Sequence, residues 1–135
     1  MDDIVLIREA LQAREAAYAP YSKFKVGAAL LGKSGTIYHG CNIENAAYGP
    51  SNCAERTAFF KAVSEGEREF CAIAIIGGYD GQIDGYAFPC GVCRQVMMEF
   101  CHPAEFMIIT AESEQDYKKY TLEQLLPEGF GPFNL

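Results

Sequence analysis

Positive charge is scarce in this 135-residue sequence: 11 Lys and Arg stand against 18 Asp and Glu, a formal net charge of −7. No basic run is longer than Lys118-Lys119, whereas a phosphate backbone or an anionic membrane is neutralised by clustered cations. Nucleic acid and membrane surfaces are therefore excluded as partners, and a small molecule is expected. Long apolar runs are also missing. Charge-free stretches such as Cys71 to Tyr79 fall far below the ~20 residues of a bilayer span. The opening MDDIVLIREA has two aspartates where an export signal carries positive charge, so a cytoplasmic protein is expected. No repeat, low-complexity tract or Pro/Ser-rich linker interrupts the chain, and residues 1–135 read as one domain.

What is present is core material and cysteine. Half of the residues are apolar and 21% are charged, enough to bury roughly two-thirds of the unfolded surface. Six cysteines in a reducing compartment point to metal binding, catalysis or core filling rather than disulfides.

Periodicity and punctuation predict the elements. Ile4, Ile7, Ala10 and Leu11 recur at helical spacing within 2–18, closed by Pro20. Residues 26–31 and 36–41 flank the turn-rich Gly32 to Gly35 and read as a hairpin, followed by a polar loop over 42–52. A second helix is expected over 53–64, ended by Gly66, then a buried strand over 70–76 and a loop over 81–89. A third helix runs over 91–101, with Val92, Val96, Met97 and Phe100 on its apolar side, and stops before Pro103. Strands at 106–110 and 117–121 and a helical turn at 122–126 complete the chain. Strands alternating with helices after a leading helix predict an α/β sandwich on a mixed sheet.

Two loop-to-helix junctions share a design: Cys53-Ala54-Glu55-Arg56 opens the second helix and Pro89-Cys90-Gly91-Val92-Cys93-Arg94 the third. A thiol at a helix mouth meets unpaired N–H groups and the positive end of the macrodipole, which favour the thiolate. Cys90 and Cys93, three residues apart, lie about 60° apart around a helix, within reach of one ion. Cys53 is the best candidate for a third sulfur. Inside a helix Cys53 and Glu55 would diverge by about 200°, so they share a site only if Cys53 stands at the helix mouth, with Arg56 on the sulfur's side. Three cysteines leave the fourth tetrahedral position open, as in a catalytic rather than a structural zinc site. The Cys-x-x-Cys pair alone also admits a thiol-redox reading, which leaves Cys53-Ala54-Glu55 unexplained. Cys41, Cys71 and Cys101 read as core thiols, His39 and His102 lack metal-ligand spacing to the cysteines, and Arg94 receives no role.

Cys-Ala-Glu followed by Pro-Cys-x-x-Cys resembles the signature of the zinc nucleoside and nucleobase deaminases in its three-cysteine form. The likeness to the small homotetrameric cytidine deaminases extends through Tyr18 to Phe24, Val26 to Ala29, Gly40 to Asn45, Cys53 to Arg56, Pro89 to Gln95, Leu125 to Pro127 and Phe130 to Pro132. That resemblance implies a three-layer α/β/α sandwich with a five-stranded mixed sheet. It also implies one Zn²⁺ per subunit on Cys53, Cys90 and Cys93, and hydrolysis of cytidine or deoxycytidine to uridine or deoxyuridine plus ammonia in pyrimidine salvage. Glu55 would carry protons while water activated by the metal attacks C4. Asn42 and Glu44 match the pair that binds the ribose 3′-hydroxyl, Phe24 would lie against the base, and Ala54 would offer backbone groups to its edge. Tyr48 and Phe130 would enter the pocket of a neighbouring subunit, giving a homotetramer with shared active sites. Three thiolates around a divalent ion leave the site one negative charge in excess, and Arg56 is expected to offset it. Lys25, Phe88 and residues 81–87 depart from the family's usual pattern beside the base pocket. Competing readings are a deaminase of a modified nucleoside of the blasticidin S type and a non-catalytic zinc-binding interaction module.

Overall fold

Residues 2–79 and 81–135 are described by the structure, a computed structural model. The first helix, α1 (Asp3–Arg14), is capped by Asp2, whose side chain accepts the Ile4 N–H at 3.1 Å. It is shorter than the predicted 2–18 because the chain leaves it to pair Tyr18 with Ile43, beyond the hairpin. The hairpin is β1 (Phe24–Gly32) and β2 (Ile37–Cys41). There follow α2 (Ala54–Ser64), β3 (Phe70–Tyr79), α3 (Gly91–Phe100), β4 (Met107–Ala111), β5 (Tyr117–Thr121) and the short α4 (Leu122–Leu125). No described helix is long and apolar enough to cross a membrane.

The strands form one five-stranded sheet in the order β2-β1-β3-β4-β5. Only β3 and β4 are parallel; the other pairs are antiparallel, so the expected mixed sheet is present. Both faces of the sheet are covered, and strand alternation divides the core accordingly. Ala29, Leu31, Ala74 and Ile76 face Leu6, Ile7 and Ala10 of α1. Ala28, Leu30, Ile73 and Ile75 face Ala58, Phe59 and Met97 of α2 and α3. Phe59, fully buried, anchors α2: its ring lies 5.0 Å from that of Phe70 and 6.0 Å from that of Phe106.

Three sequence expectations are corrected. Strand β3 continues past Ile76 through Gly77-Gly78 to Tyr79, because Val26, Lys25 and Phe24 of β1 extend the ladder beside it. Gly78 has no side chain to spare: a Cβ there would come within 2.0 Å of the Gln82 carbonyl oxygen, where the following loop folds back. Helix α3 buries Cys93, Met97 and Met98, with Val96 and Phe100 partly buried against the same core; of the expected apolar side only Val92 is exposed. Cys71 is exposed rather than a core thiol: it falls near the start of β3, at the register shift where Leu31 and Gly32 of β1 pair with Ala72 and Phe70 and leave it unpaired; Cys101 does pack against the core, and Cys41 is half-buried.

Candidate active site

Cys53 and Cys90 are the N-cap residues of α2 and α3, in extended backbone conformations with ψ of 157° and 168°. Neither side chain caps its own helix. Instead the sulfurs turn toward each other, 3.7 Å apart, and Cys93, one turn into α3, brings its sulfur 3.6 Å from that of Cys90. All three sulfurs lie within 4.8 Å of one another. Thiolates held about 2.3 Å from a tetrahedral zinc are separated by about 3.8 Å. The donor set and its spacing therefore fit zinc, and among the described residues no histidine, aspartate or glutamate joins the cluster. One tetrahedral position is left for a non-protein ligand.

Electrostatics around the sulfurs are uneven. Cys53 is brought down to about 5 by the Cys93 thiol donating to it, with Arg56 and Cys90 assisting against the cost of burial. Cys93 is pushed up by that same contact and by burial. Thiols hold a metal as thiolates, so metal binding at this cluster releases protons. Arg56 Nη2 donates to Cys53 Sγ at 3.4 Å, and the two sulfurs of Cys53 and Cys93 hold its guanidinium firmly protonated. Glu55, buried on the first turn of α2, is raised to about 7, first by desolvation and then by the Cys53 charge. A carboxyl poised near neutrality beside a metal site can both take and give a proton.

The cleft above the sulfurs has a volume of about 410 Å³, within the range of small-molecule sites. Phe24, Asn42, Glu44, Ala54, Glu55 and Arg56 all line it together with Cys53 and Cys90. The Phe24 ring stands edge-on to Tyr79, with centroids 5.1 Å apart. Asn42 is tied to β1: Nδ2 donates to the Phe24 carbonyl at 2.8 Å and Oδ1 accepts the Val26 N–H at 2.9 Å. Glu44 accepts the backbone N–H groups of Tyr21 and Ser22, at 3.0 and 3.1 Å.

Tyr48 and Phe130 are not brought into this cleft. Tyr48 is 72% exposed on an adjoining cavity, beside Tyr21, and Phe130 is 58% exposed. Arg94, given no role from sequence, clasps the carbonyls of Pro89 and Leu125 at 2.7 and 2.6 Å and so fixes the Cys90 loop. His39 pairs with Glu9 at 2.7 Å. Sequence reading missed Val26, Ser51, Asn52 and Ile75 as lining residues, whereas Ala87 lies in the 81–87 stretch expected beside the base pocket. Val26 and Ile75 announce themselves only as strand residues, and their access to the cleft follows from the register between β1 and β3. Phe88, singled out only as a departure, lines the cleft too and stacks obliquely on Tyr120 of β5 at 5.9 Å.

Residues 1–110 match the family model described as the cytidine and deoxycytidylate deaminase zinc-binding region. A cytidine deaminase of Sporosarcina psychrophila is 53% identical over 135 residues, covering the whole of this chain and 96% of the relative. One of Halalkalibacterium halodurans is 52% identical over 130 residues, covering 96% of this chain and 95% of the relative. Among solved structures, the cytidine deaminase of Burkholderia pseudomallei superposes with a TM-score of 0.87 at 47% identity, over 96% of this chain and 100% of the other. With the three sulfurs, the adjacent carboxyl and near end-to-end likeness pointing the same way, the chain belongs to the cytidine and deoxycytidylate deaminase family.

Proposed function

We propose that this protein hydrolyses cytidine and deoxycytidine to uridine and deoxyuridine with release of ammonia, as a single-domain cytoplasmic enzyme of pyrimidine salvage. The observation that carries the reading is the triangle of Cys53, Cys90 and Cys93 sulfurs at tetrahedral-edge spacing on the floor of a cleft that Glu55 shares. Zinc held by these three cysteines supplies a Lewis acid that makes water a usable nucleophile near neutral pH. Phe24 packs against the pyrimidine, the backbone of Ala54 meets its edge, and Asn42 and Glu44 take the 3′-hydroxyl of the sugar. Glu55 accepts a proton from the attacking water and delivers it to N3, then takes the proton of the new C4 hydroxyl and passes it to the amine as the C4–N4 bond breaks and C4=O forms. Arg56 offsets the negative charge that the three thiolates leave in excess. Tyr48 and Phe130, exposed on their own chain, complete the cleft of a neighbouring subunit in a homotetramer.

Ultraviolet measurement of cytidine loss, run with and without a zinc chelator and alongside Glu55→Gln, tests this reading. The expected result is chelator-sensitive turnover by the parent protein, and a variant that keeps its zinc while losing about 10²- to 10⁴-fold in kcat. A variant with undiminished turnover, or a parent inactive on both nucleosides with zinc bound, would refute it.

A further inference from the structure

Ser22 has no part in the roles assigned above, yet it makes the contacts that join them. Its Oγ donates to Glu44 Oε2 at 2.5 Å and accepts the Phe24 N–H at 3.0 Å. Glu44 Oε1 meanwhile accepts the Tyr21 and Ser22 N–H groups. A carboxylate offers about four lone-pair sites; three are taken by these donors, which leaves one direction from which a substrate hydroxyl can approach. On the far side of Phe24, Asn42 Nδ2 holds the carbonyl. The Phe24 backbone is therefore gripped at its N–H through Ser22 to Glu44 and at its C=O by Asn42. Lys23, between Ser22 and Phe24, has φ of 64°, a left-handed conformation that a lysine keeps only where its surroundings impose it.

We propose that Ser22 is a positioning residue that couples recognition of the sugar to placement of the base, by fixing Glu44 and the Phe24 backbone with one hydroxyl. The proposal rests on the assignment of Asn42 and Glu44 to the sugar made above and deepens it. When a sugar hydroxyl settles on Glu44, the same hydrogen-bond chain holds the Phe24 ring where the pyrimidine arrives. Without the Ser22 hydroxyl, Glu44 Oε2 is free to swing toward water and the Phe24 N–H loses its acceptor. The sugar hydroxyl then contributes less to catalysis, although every group that contacts substrate is still present.

The test measures kcat and KM of the zinc-loaded enzyme for cytidine and 3′-deoxycytidine in the parent, Ser22→Ala and Ser22→Thr. In the parent, loss of the 3′-hydroxyl should lower kcat/KM by about tenfold or more, the scale of a charge-assisted hydrogen bond. In Ser22→Ala, cytidine should lose about tenfold in kcat/KM, mostly through KM, while 3′-deoxycytidine changes by less than about threefold. Ser22→Thr, which keeps the hydroxyl, should restore the parent's discrimination. Zinc content and thermal midpoint, measured on the same samples, establish that each variant is folded. A parent that treats both nucleosides alike overturns the sugar assignment and the coupling with it. A parent that discriminates, with Ser22→Ala discriminating equally or losing both substrates in proportion, overturns the coupling alone.

Discussion

Arg56 spends its charge on sulfur. One terminal nitrogen reaches Cys53 Sγ at 3.4 Å while Nε is buried with no hydrogen-bond partner, a cost that a guanidinium bears only where strong electrostatics hold it. With Arg56 replaced by alanine, the thiolates become more electron-rich and the metal they hold a weaker Lewis acid. Arg56→Ala is expected to retain zinc at saturating concentration and lose about 10- to 100-fold in kcat, the usual effect of removing a group that hydrogen-bonds a metal ligand. Steady-state kinetics with parallel zinc analysis check this, and an unchanged kcat would remove Arg56 from the chemistry. A second thiol has a different consequence. Burial, and to a lesser degree Cys71, push the Cys101 thiol up from its ordinary value. Above about pH 8.5 the unfolded thiol has ionised and the folded one has not, so the folded state binds more protons and stability falls as pH rises. Urea unfolding from pH 7 to 10 should show that decline in the parent and a shallower one in Cys101→Ala; identical slopes would mean that Cys101 is not the group responsible. The thiol positions were legible in the sequence because an N-cap is a local feature. The engagement of Asn42 and Glu44 was not, since their partners on β1 and the preceding loop lie 16 to 23 residues away.

Helix α2 delivers Cys53, Ala54, Glu55 and Arg56 from its first turn and N-cap, so its seat on the sheet sets the geometry of the site. That seat is Gly40 of β2. A Cβ at Gly40 would lie 2.2 Å from the Ala54 carbonyl oxygen and 2.6 Å from the Ala58 N, both backbone atoms that move only with the helix. Gly40→Ala should therefore push the start of α2 away from the sheet, cost about 1–3 kcal/mol as overpacking does, and weaken zinc binding because Cys53 moves with the helix. Urea midpoints and a competitive zinc titration read the two effects. Loss of stability with unaltered zinc affinity would show that the cluster tolerates the shift. Elements as such were readable: β5 occupies its predicted 117–121 and β2, α2 and α3 begin or end within a residue of expectation, because apolar period and Gly/Pro punctuation act locally. The extension of β3 through Gly77-Gly78 was not readable, since two glycines signal a turn unless a neighbouring strand is known to continue beside them.

At the scale of the whole molecule, the excess of acidic groups suits an uncharged nucleoside, which brings no phosphate to be attracted or repelled. Apolar surface is less easily explained by one chain alone. Tyr48, Val92, Phe130 and Phe133 are each more than half exposed; if association of copies gathers them into contiguous patches, those patches mark contact between subunits. If Tyr48 and Phe130 finish a neighbour's cleft and Glu55 carries the protons as proposed, the Glu55 and the donated Phe130 of any one site belong to different chains. Two defects on different chains then become separable. Glu55→Gln and Phe130→Ala are each expected to be severely impaired as pure proteins. Co-expressed in equal amounts and purified as mixed oligomers, they should regain activity at the sites where a Phe130→Ala subunit supplies Glu55 and a Glu55→Gln subunit supplies Phe130. Random assembly makes that about a quarter of all sites. A second mixture, of the parent with a double variant carrying both substitutions, sets the yield expected where no complementary site forms from two defective chains. Recovery near that quarter, together with a mass four times that of one chain in solution, supports sites shared between subunits. Activity no greater than the sum of the two pure variants would place each cleft within a single chain, leaving Phe130 to hold copies together without touching the substrate.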